Sequence, residues 1–282
     1  MVASLSSACL FPSLDLTGGD AGSDATLDAT GDTGVDASDA AADAKGDAAG
    51  EAGFTAGIGC DAATPDLLAF YTVDEGAGTI VHDCVSSPTN DGTILVSSHT
   101  AWVTGQHGKA LEFDAFDGGC AKCDFTPSFA FGGPNAAPFT VALWLYMTSM
   151  PVQGEIGYIA GYSSNISAGG WRLSIGMGGG ITFAVPNGSG GTANIVGAQI
   201  ATGAWHHIAA VYAGASSALY VDGSATSGAL PATWAVDTTP GDHMRIGCSA
   251  DDQHPLTGRV DDVRFYNRAL TAAEVLIVKN AN

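Results

Sequence analysis

Positive charge is what this chain has least of: its 282 residues include 9 Lys and Arg against 29 Asp and Glu, a formal net charge of -20. A duplex-binding surface neutralises phosphates with clustered cations. So few scattered ones build no such patch, so nucleic acid is excluded as a partner. Long apolar runs are missing too. No window of about 18 uninterrupted apolar residues occurs, so no helix of this sequence is expected to span a bilayer. Helix signals are sparse, and no Gly-x-Ser-x-Gly elbow suggests acyl transfer.

What is present divides the chain. Residues 10–63 precede a folded region, and up to residue 59 they are built almost wholly from Ala, Asp, Gly, Thr and Ser. Asp20, Asp24, Asp28, Asp32 and Asp36 recur every fourth position, opposed only by Lys45. Ordering costs about 1 to 2 kcal/mol per residue, and so little apolar surface cannot repay it. A helix with an acidic face is the alternative for that repeat, but Gly18, Gly22, Gly31 and Gly34 each cost about 1 kcal/mol there. The reading is a disordered acidic linker, a tether reaching roughly 40 Å as a flexible coil.

Residues 1–9, Met-Val-Ala-Ser-Leu-Ser-Ser-Ala-Cys, resemble the end of a bacterial lipoprotein signal peptide, with small residues before a cysteine that would carry lipid. Translation is then expected to start upstream of Met1, with Cys9 lipidated and the protein exported to the outer membrane or cell surface, or secreted. An ordinary N-terminus with a chance cysteine is the plainer alternative. The other thiols are Cys60, Cys84, Cys120, Cys123 and Cys248. Cys120-Ala-Lys-Cys123 has half the spacing of a zinc site, but no second half follows, so disulfides are expected. Cys60–Cys84 is the first pairing. Cys248 with Cys120 or Cys123 is the second, Cys120–Cys248 being preferred.

Residues 64–282 read as strands. Phe139, Val141, Leu143 and Leu145 alternate with Thr140, Ala142, Trp144 and Tyr146, a period of two. His206–Tyr212 does the same, and Leu219-Tyr-Val-Asp222-Gly223 ends in a dipeptide suited to a tight hairpin. One helix is predicted, from the capping box Thr271-Ala-Ala-Glu274 through Lys279. The fold class is all-β, a two-sheet antiparallel sandwich with a short C-terminal helix.

Seven pieces in order give a resemblance: Tyr71–Thr79 with Asp83, Asn90–Thr93, Gly105–Asp114, the strand at Phe139, Trp205–Ile208, Leu219–Gly223 and Gly258–Leu270. Their succession is similar to the laminin-G-like jelly roll of the concanavalin A-like lectin and glucanase superfamily. The resemblance implies a non-catalytic surface module that binds carbohydrate or a surface protein. It also offers alternatives: a glycoside hydrolase, or a purely structural envelope lipoprotein.

Hydrolysis needs two carboxyl groups facing one bond. The Glu-x-Asp-x-x-Glu strand of glucanase relatives is absent, and Asp261 and Asp262, being adjacent, should face opposite sides of a strand. No catalytic residue is assigned. By the same rule His206 and His207 cannot jointly grip an ion. One is expected to be a hydrogen-bonded core imidazole, the other half-exposed. The resemblance implies a structural calcium at Asp261, with Asp74 or Asp83 supplying the facing oxygen. For a sugar, Trp144, Tyr146, Tyr158, Tyr162, Trp171 and Arg172 are the available aromatics and cation. Trp171 with Arg172 is preferred because Gly169 and Gly170 precede it, and Trp144 and Tyr146 follow. Asn165-Ile-Ser167 and Asn187-Gly-Ser189 are read as turns.

Overall fold

The computed structural model describes residues 66–85, 90–95, 97–114, 122–125, 129, 131, 136–162, 169–234, 244–249 and 253–281. The chain divides into two units, Met1–Ala48 and Ala49–Asn282, and every described residue belongs to the second. The lipoprotein remnant, Cys9, the tether, Cys60, Cys120 and Asn165–Ser167 lie outside the described residues.

In chain order the strands are β1 (Leu67–Tyr71), β2 (Ile80–Val81), β3 (Gly92–Leu95), β4 (Thr100–Thr104), β5 (Lys109–Phe113), β6 (Lys122–Phe125), β7 (Phe139–Met147) and β8 (Ile156–Tyr162). Then come β9 (Trp171–Gly176), β10 (Gly180–Pro186), β11 (Thr192–Gln199), β12 (Trp205–Tyr212), β13 (Ser217–Val221), β14 (Ser224–Gly228), β15 (Met244–Ile246), β16 (Gly258–Tyr266) and the helix α1 (Ala272–Asn280). Among the described residues they form two eight-stranded sheets. The first runs β14-β13-β12-β7-β16-β5-β4, with β1 also paired to β16; the second runs β11-β10-β9-β8-β15-β6-β3-β2. Every pairing is antiparallel.

The expected alternation places the core. Phe139, Val141, Leu143, Leu145 and Met147 of β7 meet Leu173, Ile175, Phe183 and Ile246 of the facing sheet, and burying each such side chain stabilises by about 1.5 to 3 kcal/mol. The β13–β14 hairpin turns at Asp222 (φ 53°) and Gly223 (φ 85°), the left-handed pair its sequence predicts. Asn187 forms the expected turn, its Oδ1 accepting from the Ser189 and Gly191 amides at 2.8 and 3.0 Å.

Helix α1 begins where the capping box places it. Thr271 Oγ1 accepts from the Glu274 amide at 3.2 Å, and Glu274 Oε2 accepts from the Thr271 amide at 2.8 Å. Val275, Val278 and Leu270 pack on Ala142, Ala209, Val211 and Tyr220, on the outward side of the first sheet. The helix therefore covers one part of that face, and these packed residues do not include the outward side chains nearer the other end of β7, β12 and β16.

Candidate functional site

At that uncovered end, one rung crosses five strands: Trp205 (β12) pairs with Tyr146 (β7), Tyr146 with Arg259 (β16), Arg259 with Glu112 (β5) and Glu112 with Ala101 (β4). Side chains directly opposite on one face are in contact. The Tyr146 and Trp205 rings lie 5.5 Å apart at 58°. The Arg259 guanidinium sits 4.8 Å over the Tyr146 ring, its Nη2 3.5 Å from Glu112 Oε1. All four side chains are half-buried. Beside them, a cleft of about 390 Å³ is lined by His99, Thr100, Ala101, Glu112, Asp114, Thr148 and Thr257. Two apolar ring faces, a charged donor and a carboxylate acceptor thus stand in one row next to a hollow of mixed polar and apolar lining. Such a row can stack the C–H face of a sugar and hydrogen-bond its hydroxyls.

The next rung is buried. His207, Trp144 and Asp261 pair across β12, β7 and β16, and the Trp144 ring lies 5.3 Å from His207 and 5.8 Å from His107. The expectation that Asp261 and Asp262 diverge is overturned by a bulge. The register of β16 shifts between Asp261 and Arg264, and Asp262 takes a φ of 51°, so the period of two fails at this point. Both carboxylates turn to one residue: Asp261 Oδ2 accepts from the His107 amide at 3.0 Å, and Asp262 Oδ2 is 2.6 Å from His107 Nδ1. Burial, with neighbouring Asp262 and Asp74 adding to it, pushes the Asp261 carboxyl up to about 8.

Of the residues expected to bind ligand, Tyr146 alone joins the open rung. Trp171 is fully buried and donates its indole N–H to the Phe129 carbonyl at 3.0 Å, so the preferred stacking residue is core. Trp144 is only 8 % exposed, closed in by the two imidazoles. Tyr162 belongs to the core as well. Arg172 stands half-buried in the second sheet with Tyr158 beside it. The histidine expectation is reversed in its hydrogen bonding. The half-buried His206 places Nδ1 2.7 Å from Asp222 Oδ2, whereas neither ring nitrogen of the buried His207 has a hydrogen-bond partner. Burial, aided by the Arg264 charge, lowers the His207 pKa to about 3.

Of the residues expected at a calcium, Asp261 with Asp74 or Asp83, each carboxylate accepts from a backbone amide. Asp83 Oδ1 accepts from the Phe70 and Val85 amides at 2.9 and 3.0 Å. Asp74 Oδ1 accepts from the Lys109 amide at 2.6 Å, so Asp74 and Asp261 hold the 105–109 loop between them. Among the described residues, no group of three or more His, Cys, Asp or Glu side chains is placed for a metal. Cys84 and Cys248 are each disulfide-bonded; Cys60 and Cys120 lie outside the described residues. Trp205, Arg259 and Glu112 were present in the sequence motifs but carried no sign of adjacency, which only the strand order β12-β7-β16-β5 supplies.

A family model described as the concanavalin A-like lectin/glucanases superfamily matches residues 117–276. The chain belongs to this superfamily. Solved structures similar to the chain include domain 4 of an extracellular arabinanase from Geobacillus stearothermophilus, solved in complex with arabinotriose. That likeness is 19% in identity over 77% of this chain and 98% of that one, with a TM-score of 0.56. The binding domain of Paraclostridial Mosquitocidal Protein 1 is similar at 16% identity, over 76% and 52% of the two chains, with a TM-score of 0.59. Trypanosoma rangeli sialidase, in complex with sialic acid, is similar at 17% identity and a TM-score of 0.53 over 76% of this chain. The chain spans only 33% of that sialidase. At these identities the likeness is one of fold. No curated protein matches the chain.

Proposed function

We propose that this superfamily domain is a non-catalytic carbohydrate-binding or adhesive module, recognising a glycan along the rung Trp205–Tyr146–Arg259–Glu112. The observation that carries the reading is the outward aromatic pair with its cation and carboxylate beside the 390 Å³ cleft. A sugar ring offers apolar C–H faces and hydroxyl edges, and this row presents the matching partners of both kinds. The arabinotriose complex of a similar domain supports carbohydrate as the ligand class. The module is read as exported and held at a bacterial surface through a lipid on Cys9 and the acidic tether, a reading that rests on residues 1–63 of the sequence.

A glycan array probed with the full chain tests the binding reading. Native protein is expected to retain a defined set of glycans and release no reducing sugar from them, and Trp205→Ala to lose that set. Reducing sugar released by native protein and abolished by Glu112→Gln would make it a hydrolase instead. A Cys9→Ala substitution in the natural full-length protein is expected to free it from membranes; unchanged retention would remove the anchor.

A further inference from the structure

Two clefts meet at Thr257. The first is the hollow of about 390 Å³ beside the outward rung, which Glu112 of that rung also lines; the second, of about 320 Å³, lies on the other side of Thr257. Thr148 lines the first and its chain neighbour Ser149 the second. Both their amides donate to the Thr257 carbonyl, at 3.2 and 3.4 Å. Each volume is that of a small-molecule site, which runs from about 300 to 1,000 Å³. From Trp205 on β12 to Glu112 on β5 the rung crosses three strand spacings of about 4.8 Å, roughly 14 Å in all. A ligand that follows the rung into these clefts is therefore longer than one sugar ring.

The two clefts differ in chemistry. Ser98, Thr100, Thr148, Glu112 and Asp114 bring hydroxyls and carboxylates to the first. The second is walled mainly by Met150, Pro151, Val152, Ile156 and Pro255, and Val152, 71 % exposed, leaves apolar surface uncovered at its mouth. Its walls are tied down. The Glu155 amide donates to the Val152 carbonyl at 3.0 Å across a turn in which Gly154 takes a φ of 87°, and the Tyr158 amide donates to the His254 carbonyl at 2.9 Å. A preformed hollow needs little ordering when it is filled. Glu112, Asp114 and Glu155 line the clefts, and among the described residues neither is lined by a Lys or Arg. Arg259 in the adjoining rung already stands 3.5 Å from Glu112. In a chain of net charge -20 such hollows disfavour an anionic ligand.

We infer that the ligand is an uncharged oligosaccharide bearing acetyl groups, with an acetyl methyl seated in the cleft of Met150, Pro151, Val152 and Pro255. An acetylated sugar presents C–H faces, hydroxyls and an apolar methyl. The rung, the first cleft and the second offer partners for these in that order: aromatic rings, hydrogen-bonding groups and an apolar wall. This deepens the carbohydrate reading, on which it rests, by naming the charge class of the glycan, its substituent and a second subsite for it.

The test uses the full chain on an array bearing acetamido and O-acetylated oligosaccharides, their unacetylated parents of the same linkage, and uronate and sulfated forms of those parents. Native protein is expected to bind an acetylated form about four-fold or more tightly than its parent, the factor that burying one methyl-sized group supplies, and the anionic forms no better than the parent. Val152→Asp, at an exposed position, is expected to abolish the acetyl preference with thermal stability and Trp205-dependent binding of the parent retained, and Val152→Ile to keep it. Equal binding of acetylated and parent forms, a preference unchanged in Val152→Asp, or tighter binding of uronate or sulfated forms would overturn the acetyl subsite. If parent glycans bind and Trp205→Ala removes them while no acetyl preference exists, the carbohydrate reading stands and this inference alone falls. Binding to no glycan of any class overturns both.

Discussion

Arg268 grips Glu274 at two points, Nη1 to Oε2 at 2.8 Å and Nη2 to Oε1 at 2.7 Å. The same carboxylate accepts from the Thr271 amide, so one side chain both caps α1 and ties it to the segment after β16. Thr271→Ala removes one side of the capping box and is expected to cost about 1 kcal/mol in urea unfolding. The Arg268 bonds hold the Glu274 carboxyl below its ordinary range. Its contribution is therefore complete above the unfolded carboxyl pKa and lost as pH falls through the lowered folded value. Glu274→Gln should start less stable at neutral pH and lose less on acidification; parallel loss in both proteins would contradict this.

Asp261 has the opposite sign. Burial raises its pKa to about 8, so between the ordinary carboxyl value of about 4 and about 8 the folded protein holds a proton that the unfolded chain has released. Stability should fall as pH rises through that window and level off above it. Asp261→Asn is expected to remove this slope, read as the urea midpoint against pH. An unchanged slope in the variant would show that another group titrates.

Trp171 separates packing from binding. Its indole is fully buried against Phe131, Phe139 and Phe265. Trp171→Phe is expected to cost about 1 to 3 kcal/mol of stability, for the lost carbonyl bond and volume. Glycan affinity of the folded fraction should be unchanged, as titration calorimetry well below the melting temperature would show.

The architecture was legible because its signals are local. The alternation of β7 and β12, the left-handed pair Asp222-Gly223 and the box Thr271–Glu274 each act within a few residues, and each appears in the structure as the sequence implies. The site was legible only in part. Gly169 and Gly170 before Trp171 made it the preferred sugar-binding aromatic, yet the period of two sends Trp171 inward and Arg172 outward. Asp261 and Asp262 were set on opposite faces by that same rule, and the bulge at Asp262 undid it. A single left-handed residue leaves no periodic trace. Tyr146 meets Trp205 and Arg259 through strands distant in the chain, an adjacency that no local pattern encodes.

The central claim, a glycan held by the outward rung of the first sheet, is tested most directly by calorimetric titration of the glycan that the array selects. Native protein, Tyr146→Ala and Trp205→Ala would be compared, with Trp171→Phe as the packing control. The account predicts that both outward aromatic substitutions weaken binding by about ten-fold or more, while the control binds like the native protein. Native affinity in both outward variants would place the ligand elsewhere and contradict it.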